Sequence, residues 1–122
     1  MSSQLTGILQ IAIPVEDITR ATAFYRDLLE LKFLMQAPNM AFFDCGGVRL
    51  YLSGGSKPVD GGSLIYFRTL DIQRQFAALK ERGVAIHREP HIIAKMPDHE
   101  LWLMWIKDSE GNLLGIMEER KP

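Results

Sequence analysis

The chain has 122 residues, of which 47% are hydrophobic and 24% charged, and its net charge is -1. This composition is ordinary for one globular domain, and the absence of a basic stripe interleaved with aromatic residues argues against a nucleic-acid partner. No apolar run approaches the ~20 residues of a membrane span, and MSSQLTG lacks the basic and apolar regions of a signal peptide. The single cysteine, Cys45, excludes an intrachain disulfide, so a cytoplasmic protein without membrane partners is expected.

The first half of the chain predicts a strand, a helix and three further strands. The strands are expected at 8–15, 32–36, 40–45 and 48–53. Asp17 is suited to cap the helix, because its carboxylate can accept a hydrogen bond from a free backbone N–H. An apolar stripe from Ile18 to Leu29 follows at helical spacing. Gly46 and Gly47 favour a two-residue turn between the last two strands.

The second half repeats this order after a linker at 54–62, where four glycines and a proline occur in nine residues. Its strands are expected at 63–69, 84–88, 100–107 and 112–118. Asp71 is again suited to cap a helix, and Gly83 to end it. Residues 89–99 are predicted to form a long loop, because Pro90 and Pro97 interrupt strand pairing.

The two halves are therefore predicted to be related modules of a single α+β domain. Asp17 and Asp71 lie 54 residues apart, and the order of elements around them matches. Each half has one helix to cover about four strands, so neither closes a core well alone. Module one spans 1–53, the linker 54–62 and module two 63–122. The last strand is apolar on both faces, which is typical of a strand buried on both sides.

Two strings of sequence resemble one family. The segment ILQIAIPVEDITRATAFYRDLLELKF resembles the opening of vicinal oxygen chelate proteins, the superfamily of glyoxalases, bleomycin-resistance proteins and extradiol dioxygenases. IKDSEGNLLGIMEE resembles its closing hairpin, in which an Asp-x-x-Gly-Asn turn precedes the final strand. The doubled βαβββ order covers nearly the whole chain. This resemblance implies two modules forming a curved, incomplete mixed β-barrel around a cavity.

Many members of this superfamily hold a divalent metal on the cavity floor, with ligands from the first and fourth strands of each module. Carried over by position, those ligands would be Gln10, Tyr51, Leu64 and Gly115. This set offers one neutral amide and one phenol, whereas a metal needs several strong donors. We therefore expect no metal at the usual positions. Glu118 has the wrong parity to share a face with Gly115.

A metal could instead be held by relocated ligands. If 87–91 were extended, His87, Glu89 and His91 would share one face, but Pro90 disrupts pairing there. His99 stands at the junction of the long loop and the next strand. It could bind a ligand or act as a general base, or it could anchor the loop through Asp98 or a backbone carbonyl. His99 and Tyr51 are the candidates for metal-free catalysis.

The resemblance also indicates which residues could line the cavity. They are Gln10, Ala12, Arg49, Tyr51, Leu64, Tyr66, Trp102, Met104, Leu113, Gly115 and Met117, with Trp105 expected on the opposite face of its strand from Trp102. Such a lining suits a small organic molecule, although core packing explains alternating Met and Trp equally well. Arg49 is the best candidate to bind an anionic group, and Gly115 would leave room where a metal ligand would otherwise project.

Three functions remain open at this stage. The chain could be a metal-free binding protein for a small organic molecule, as in the drug-sequestering branch of the family. It could be an enzyme, either a lyase, isomerase or dioxygenase with a divergent metal site or a metal-free catalyst. It could also be a partner-binding module with a filled cavity. A homodimer is expected from the resemblance, because small members of the superfamily often pair.

Overall fold

The computed structural model describes residues 6–57 and 64–121, and it confirms the predicted order of elements. The chain divides into two compact units at residues 58 and 59, inside the expected linker. The elements are β1 (Gln10–Pro14), α1 (Ile18–Ala23), a π-helical turn (Phe24–Leu28), β2 (Lys32–Ala37), β3 (Met40–Cys45), β4 (Val48–Ser53), β5 (Ile65–Arg68), α2 (Ile72–Glu81), β6 (Ala85–Lys95), β7 (Glu100–Lys107) and β8 (Leu113–Arg120). Neither helix of the described residues is long and apolar enough to cross a membrane.

The first module, described over residues 6–57, is one four-stranded sheet with a helix on one side. The strand order is β1-β4-β3-β2, with β1 parallel to β4 and the other pairs antiparallel. Asp17 caps α1 as predicted, since its carboxylate accepts a hydrogen bond from Arg20 N at 3.0 Å. The helix widens at its end, where Leu29 N–H donates to Phe24 O five residues earlier at 3.1 Å.

Alternation along the strands gives this sheet two distinct faces. Phe43, Leu50 and Leu52 are buried and face α1, and the rings of Tyr25 and Phe43 are in contact at 6.1 Å. The intervening residues of the same strands must therefore point away from the helix. We call that side the far face of the first sheet. Arg49 lies on it, and so does Gln10, its partner across the β1–β4 pair.

The second module, described over residues 64–121, has the same topology, with strand order β5-β8-β7-β6. Asp71 caps α2 by accepting a hydrogen bond from Arg74 N at 3.1 Å. Glu118 of β8 points at the beginning of this helix, because its carboxylate accepts a hydrogen bond from Ile72 N at 2.8 Å. Residues of the opposite parity, such as Gly115, lie on the far face of the second sheet. The predicted parity of Glu118 is confirmed.

One strand is much longer than predicted. The sequence favoured a strand at 84–88 followed by a loop at 89–99, whereas β6 continues to Lys95 straight through Pro90. Two features make this possible. The strand lies at the edge of its sheet, where a missing N–H costs little, and its pairing with β7 is interrupted by irregularities on both sides of Pro90.

The turn between β7 and β8 sets which residues share a face. The Asp108 carboxylate accepts hydrogen bonds from Glu110 N and Asn112 N, both at 2.8 Å, and from the Asn112 side-chain amide at 2.9 Å. These bonds define the loop at 108–112, and Lys107 pairs with Leu113 across it. Odd-numbered residues of β7 therefore pair with odd-numbered residues of β8.

Candidate functional site

A polar and aromatic cluster occupies the far face of the first sheet. Arg49 Nε donates a hydrogen bond to Gln10 Oε1 at 2.8 Å, and the Arg49 guanidinium lies over the Phe42 ring, 5.6 Å from its centroid. Phe42 in turn stacks on Tyr51, with centroids 5.1 Å apart and ring planes at 16°. Three neighbouring strands thus place a cation, an amide and two aromatic rings together. We call Gln10, Phe42, Arg49 and Tyr51 the Arg49 cluster.

This cluster borders a partly open concavity of about 350 Å³, which is lined by Gln10, Leu34, Met35, Phe42 and Arg49. The volume is near the lower end of the roughly 300–1,000 Å³ of small-molecule sites. Leu34 and Met35 are 47% and 49% exposed, so two large apolar side chains face solvent beside the cation. Gln10 and Arg49 were predicted from sequence as lining residues, whereas Leu34, Met35 and Phe42 were not.

The sequence contained enough information to predict Phe42 as a lining residue. A two-residue turn at Gly46 and Gly47 fixes the β3–β4 pairing, and this register puts Phe42 directly opposite Tyr51. Once Tyr51 was assigned to the cavity face, its cross-strand partner had to share that face. Leu34 and Met35 carried no such signal, because the pairing of β2 with β3 shifts between Phe33 and Met35.

The far face of the second sheet is closed over Gly115 by two aromatic rings. Tyr66 and Trp105 both pair with Gly115, from β5 and β7, and their rings are 5.3 Å apart. A Cβ atom at Gly115 would lie 2.7 Å from Tyr66 Cδ1 and 3.1 Å from Trp105 Cζ3. The prediction that Gly115 leaves open the space where a metal ligand's side chain would project is therefore wrong. The glycine is needed because the aromatic rings occupy the space above it.

The predicted face of β7 is also corrected. Trp102 and Met104 were expected to line the cavity, but they pair with Glu118 and Ile116, on the side of the sheet that faces α2. Met104 is fully buried, and the Arg120 guanidinium lies 4.4 Å from the Trp102 ring centroid. Trp105 lies on the far face instead. Leu113 and Met117 share the face of Gly115, as predicted, so Trp105 and not Trp102 lies on the same side as they do. Leu64 and Tyr66 are 47% and 50% exposed.

The residues at the superfamily's usual metal positions do not fit a divalent cation. In the first module, the Gln10 carbonyl oxygen already accepts a hydrogen bond from Arg49 Nε, so a metal there would meet a guanidinium charge. In the second module, Leu64 has no donor atom, and the space at Gly115 is filled by aromatic carbon. This donor set lacks the imidazoles or carboxylates that bind first-row metals.

The three alternative metal ligands, His87, Glu89 and His91, are not brought together either. Irregular pairing of β6 on either side of Arg88 breaks the alternation that would align His87, Glu89 and His91. The His91 ring nitrogen instead lies 2.9 Å from the backbone oxygen of Glu89. Within residues 6–57 and 64–121, no three His, Cys, Asp or Glu side chains are arranged to hold a metal ion.

His99 is held between two carboxylates at the start of β7. Its Nδ1 is 2.7 Å from Asp98 Oδ1 and its Nε2 is 3.6 Å from Glu119 Oε2, while the imidazole is 17% exposed. The hydrogen bond to His99 holds the pKa of the Asp98 carboxyl below its usual value. The backbone oxygen of His99 also accepts a hydrogen bond from Met96 N at 2.8 Å. His99 thus anchors the turn, and its pairing with Asp98 is also one that orients a general base.

Comparison with known proteins agrees with this architecture. The family model of the glyoxalase/bleomycin resistance protein/dioxygenase superfamily matches residues 7–116, and the chain belongs to this superfamily. The chain is also similar to metallothiol transferase FosB of Staphylococcus epidermidis, with 26% identity over 112 residues. That match covers 90% of this chain but 65% of the length of FosB.

Solved structures share the fold. A superfamily member from Sphaerobacter thermophilus matches with a TM-score of 0.78 and 23% identity, over 96% of this chain and 100% of that one. The lactoylglutathione lyase of Agrobacterium tumefaciens matches with a TM-score of 0.74 and 22% identity, over 95% of this chain and 96% of that one. The predicted α+β fold of two βαβββ modules is thereby confirmed. The single domain, the shared cavity, the homodimer and the cytoplasmic location stay predictions.

Proposed function

We propose that this protein binds a small organic molecule on the far face of its first module without the metal that is usual in the superfamily. The observation that carries the proposal is the Arg49 cluster beside the concavity of about 350 Å³. Apolar walls with a few oriented polar groups are typical of small-molecule sites. The concavity has both, since Leu34 and Met35 form apolar walls and Gln10 and Arg49 hold polar atoms at its edge.

The residues at the superfamily's usual metal positions support binding without a metal. At two of the four usual positions, Leu64 and Gly115 offer no side-chain donor. At a third, Gln10 is engaged by a cation. A chelating mechanism would require these side chains to be replaced by imidazole or carboxylate. Stacking and hydrogen bonding therefore remain as the means of holding a ligand in the first module.

The proposal is tested by screening neutral aromatic fragments by two-dimensional ¹H–¹⁵N NMR. We expect fragments to shift the resonances of Leu34, Met35 and Phe42, and Phe42→Leu to weaken their binding. An aromatic contact contributes roughly 0.5–1.5 kcal/mol, or about two- to tenfold in Kd. Phe76→Leu, on α2 of the second module, is the matched control and should leave the Kd unchanged. No binding at these residues, or equal effects of the two substitutions, would refute the proposal.

A second candidate is an enzyme, because FosB is named a transferase and one structural neighbour a lyase. The Asp98–His99 pair is the catalytic arrangement that favours it, and Tyr51 is the other candidate residue. The same NMR samples distinguish the two functions. An enzyme would convert a fragment over hours. A reaction centred on the first module would be abolished by Tyr51→Phe, and one centred on the Asp98–His99 pair of the second module by His99→Gln. A binding protein would leave the fragment unchanged.

A further inference from the structure

We propose that the ligand is an aryl carboxylic acid, and that the Arg49 guanidinium binds its carboxylate in place of a divalent cation. This inference rests on the proposed function, because it assigns the chemistry of the molecule bound at the Arg49 cluster. The positive charge on this face of the first sheet belongs to a side chain rather than to a metal. The ligand oxygens would accordingly accept hydrogen bonds instead of coordinating an ion.

The geometry of Arg49 leaves its terminal amino groups available. Its Nε is used by Gln10, and neither terminal nitrogen has a hydrogen-bond or ion-pair partner among residues 6–57 and 64–121. A guanidinium is planar, always charged at neutral pH and matched in shape to a carboxylate. Two parallel N–H groups at the edge of a concavity therefore favour a planar oxyanion over a neutral polar group.

Gln10 and Phe42 hold the guanidinium in place. Gln10 Oε1 accepts a hydrogen bond from Arg49 Nε at 2.8 Å. Arg49 Cζ lies over the Phe42 ring, 5.6 Å from the ring centroid. A long arginine side chain normally loses rotamer freedom when it binds a ligand, and holding it beforehand reduces that loss. Gln10 is thus a positioning residue for the charge, and it occupies the position that a metal ligand takes in related proteins.

The neighbouring charges do not cancel that of Arg49. Asp44 is its cross-strand partner, but the Asp44 carboxylate accepts a hydrogen bond from Gly47 N at 2.9 Å. Within the described part of the chain, the Asp44 carboxylate makes no ion pair with Arg49. Lys32 faces Asp44 from β2 and adds a second positive charge on the same sheet. Arg49 and Lys32 are positive and Asp44 is negative, so these three side chains have a net charge of +1, which favours an anion.

The rest of the concavity indicates what the carboxylate is attached to. Phe42 presents a ring already stacked on Tyr51, and Leu34 and Met35 provide apolar walls. A flat ring can lie against these side chains while its carboxylate reaches the terminal nitrogens of Arg49. About 350 Å³ accommodates one or two fused rings.

The test compares two probes that share one ring system and differ in charge, 2-naphthoate and 2-naphthylmethanol. We expect naphthoate to bind the full chain at least tenfold more tightly than naphthylmethanol at pH 7, and Arg49→Met to remove this preference by weakening naphthoate binding far more than naphthylmethanol binding. Methionine keeps an apolar stem and removes the charge. Dissociation constants come from isothermal titration, and the Arg49 Nε–Hε signal should shift with naphthoate only. The preference should also weaken with added salt.

Gln10→Glu separates positioning from general stability. A carboxylate at residue 10 would pair with Arg49 and neutralise it, so naphthoate binding should weaken far more than naphthylmethanol binding. A merely structural role for Gln10 would affect both probes equally. Equal binding of the two probes, or a naphthoate preference that survives Arg49→Met, would overturn the inference and leave the proposed function standing. Binding of neither probe would overturn both.

Discussion

Replacing Glu118 by alanine should lower the free energy of unfolding by about 2–3 kcal/mol, which is the cost expected when a buried polar partner is removed. Glu118 is 6% exposed and joins two parts of the second module. It accepts a hydrogen bond from Ile72 N, at the start of α2, and pairs with Arg120 Nε at 2.9 Å. Urea denaturation followed by circular dichroism measures the change.

Glu119→Ala is the matched control for this substitution. Glu119 follows directly in β8, but its side chain is half exposed, and its contacts with Arg68 and His99 are 3.5 and 3.6 Å long. Its removal should change stability by no more than about 0.5 kcal/mol. Equal effects of the two substitutions would contradict the assignment of Glu118 as the residue that holds α2 to the sheet.

Glu118 should also make the free energy of unfolding depend on pH. The hydrogen bond from Arg120, assisted by that from Ile72 N, holds the pKa of the Glu118 carboxyl below its ordinary value of 4.5. Its contribution to stability is therefore fully present above pH 4.5 and is lost as the pH falls through the folded-state pKa. Glu118→Gln keeps an oxygen for Ile72 N but loses the charge. Its stability deficit relative to the parent chain should shrink towards zero at low pH.

Replacing Gly115 by alanine should destabilise the second module by about 1–3 kcal/mol, the usual cost of overpacking. The new Cβ would lie 2.7 Å from Tyr66 Cδ1, closer than Cβ atoms approach other atoms in folded proteins, and 3.1 Å from Trp105 Cζ3, which is tighter than most Cβ contacts. One of the two rings must therefore move. Urea denaturation gives the change in stability, and the emission of Trp105 should change with its surroundings.

Tyr66→Ala provides the control for the Gly115 substitution. Tyr66 is 50% exposed, so its truncation alone should cost less than truncation of a core ring. In the Tyr66→Ala background, Gly115→Ala should be tolerated, which a double-mutant cycle would report as a coupling of about 1 kcal/mol. A Gly115→Ala protein as stable as the parent chain would show that the rings over Gly115 are not closely packed.

The order of elements was predictable from sequence because the signals were local and occurred twice. Asp17 and Asp71 cap their helices as expected, and the turn at Gly46 and Gly47 fixes the β3–β4 register. The far face of β1, β4, β5 and β8 followed from the superfamily's metal-ligand positions, extended along each strand by parity. These strands are regular, so alternation carried the assignment from one residue to the next.

The wrong predictions mostly concern strands whose pairing register depends on a turn or on an irregularity. Trp102 was placed on the wrong face because the loop at 108–112 decides whether odd residues of β7 pair with odd or even residues of β8. The loop predicted at 89–99 is mostly strand because Pro90 lies on an edge strand. The rings over Gly115 come from two other strands, and composition gives no sign of such a contact.

Metal analysis tests most directly whether this superfamily member binds its ligand through the Arg49 cluster rather than through a metal. Tag-free protein prepared without chelators should be examined by elemental analysis and then titrated with Zn, Fe, Mn and Ni ions. We predict no stoichiometric metal and no uptake at micromolar concentrations, with the Arg49 Nε–Hε signal unchanged throughout. One metal ion per chain, bound with a shift of that signal, would contradict the account.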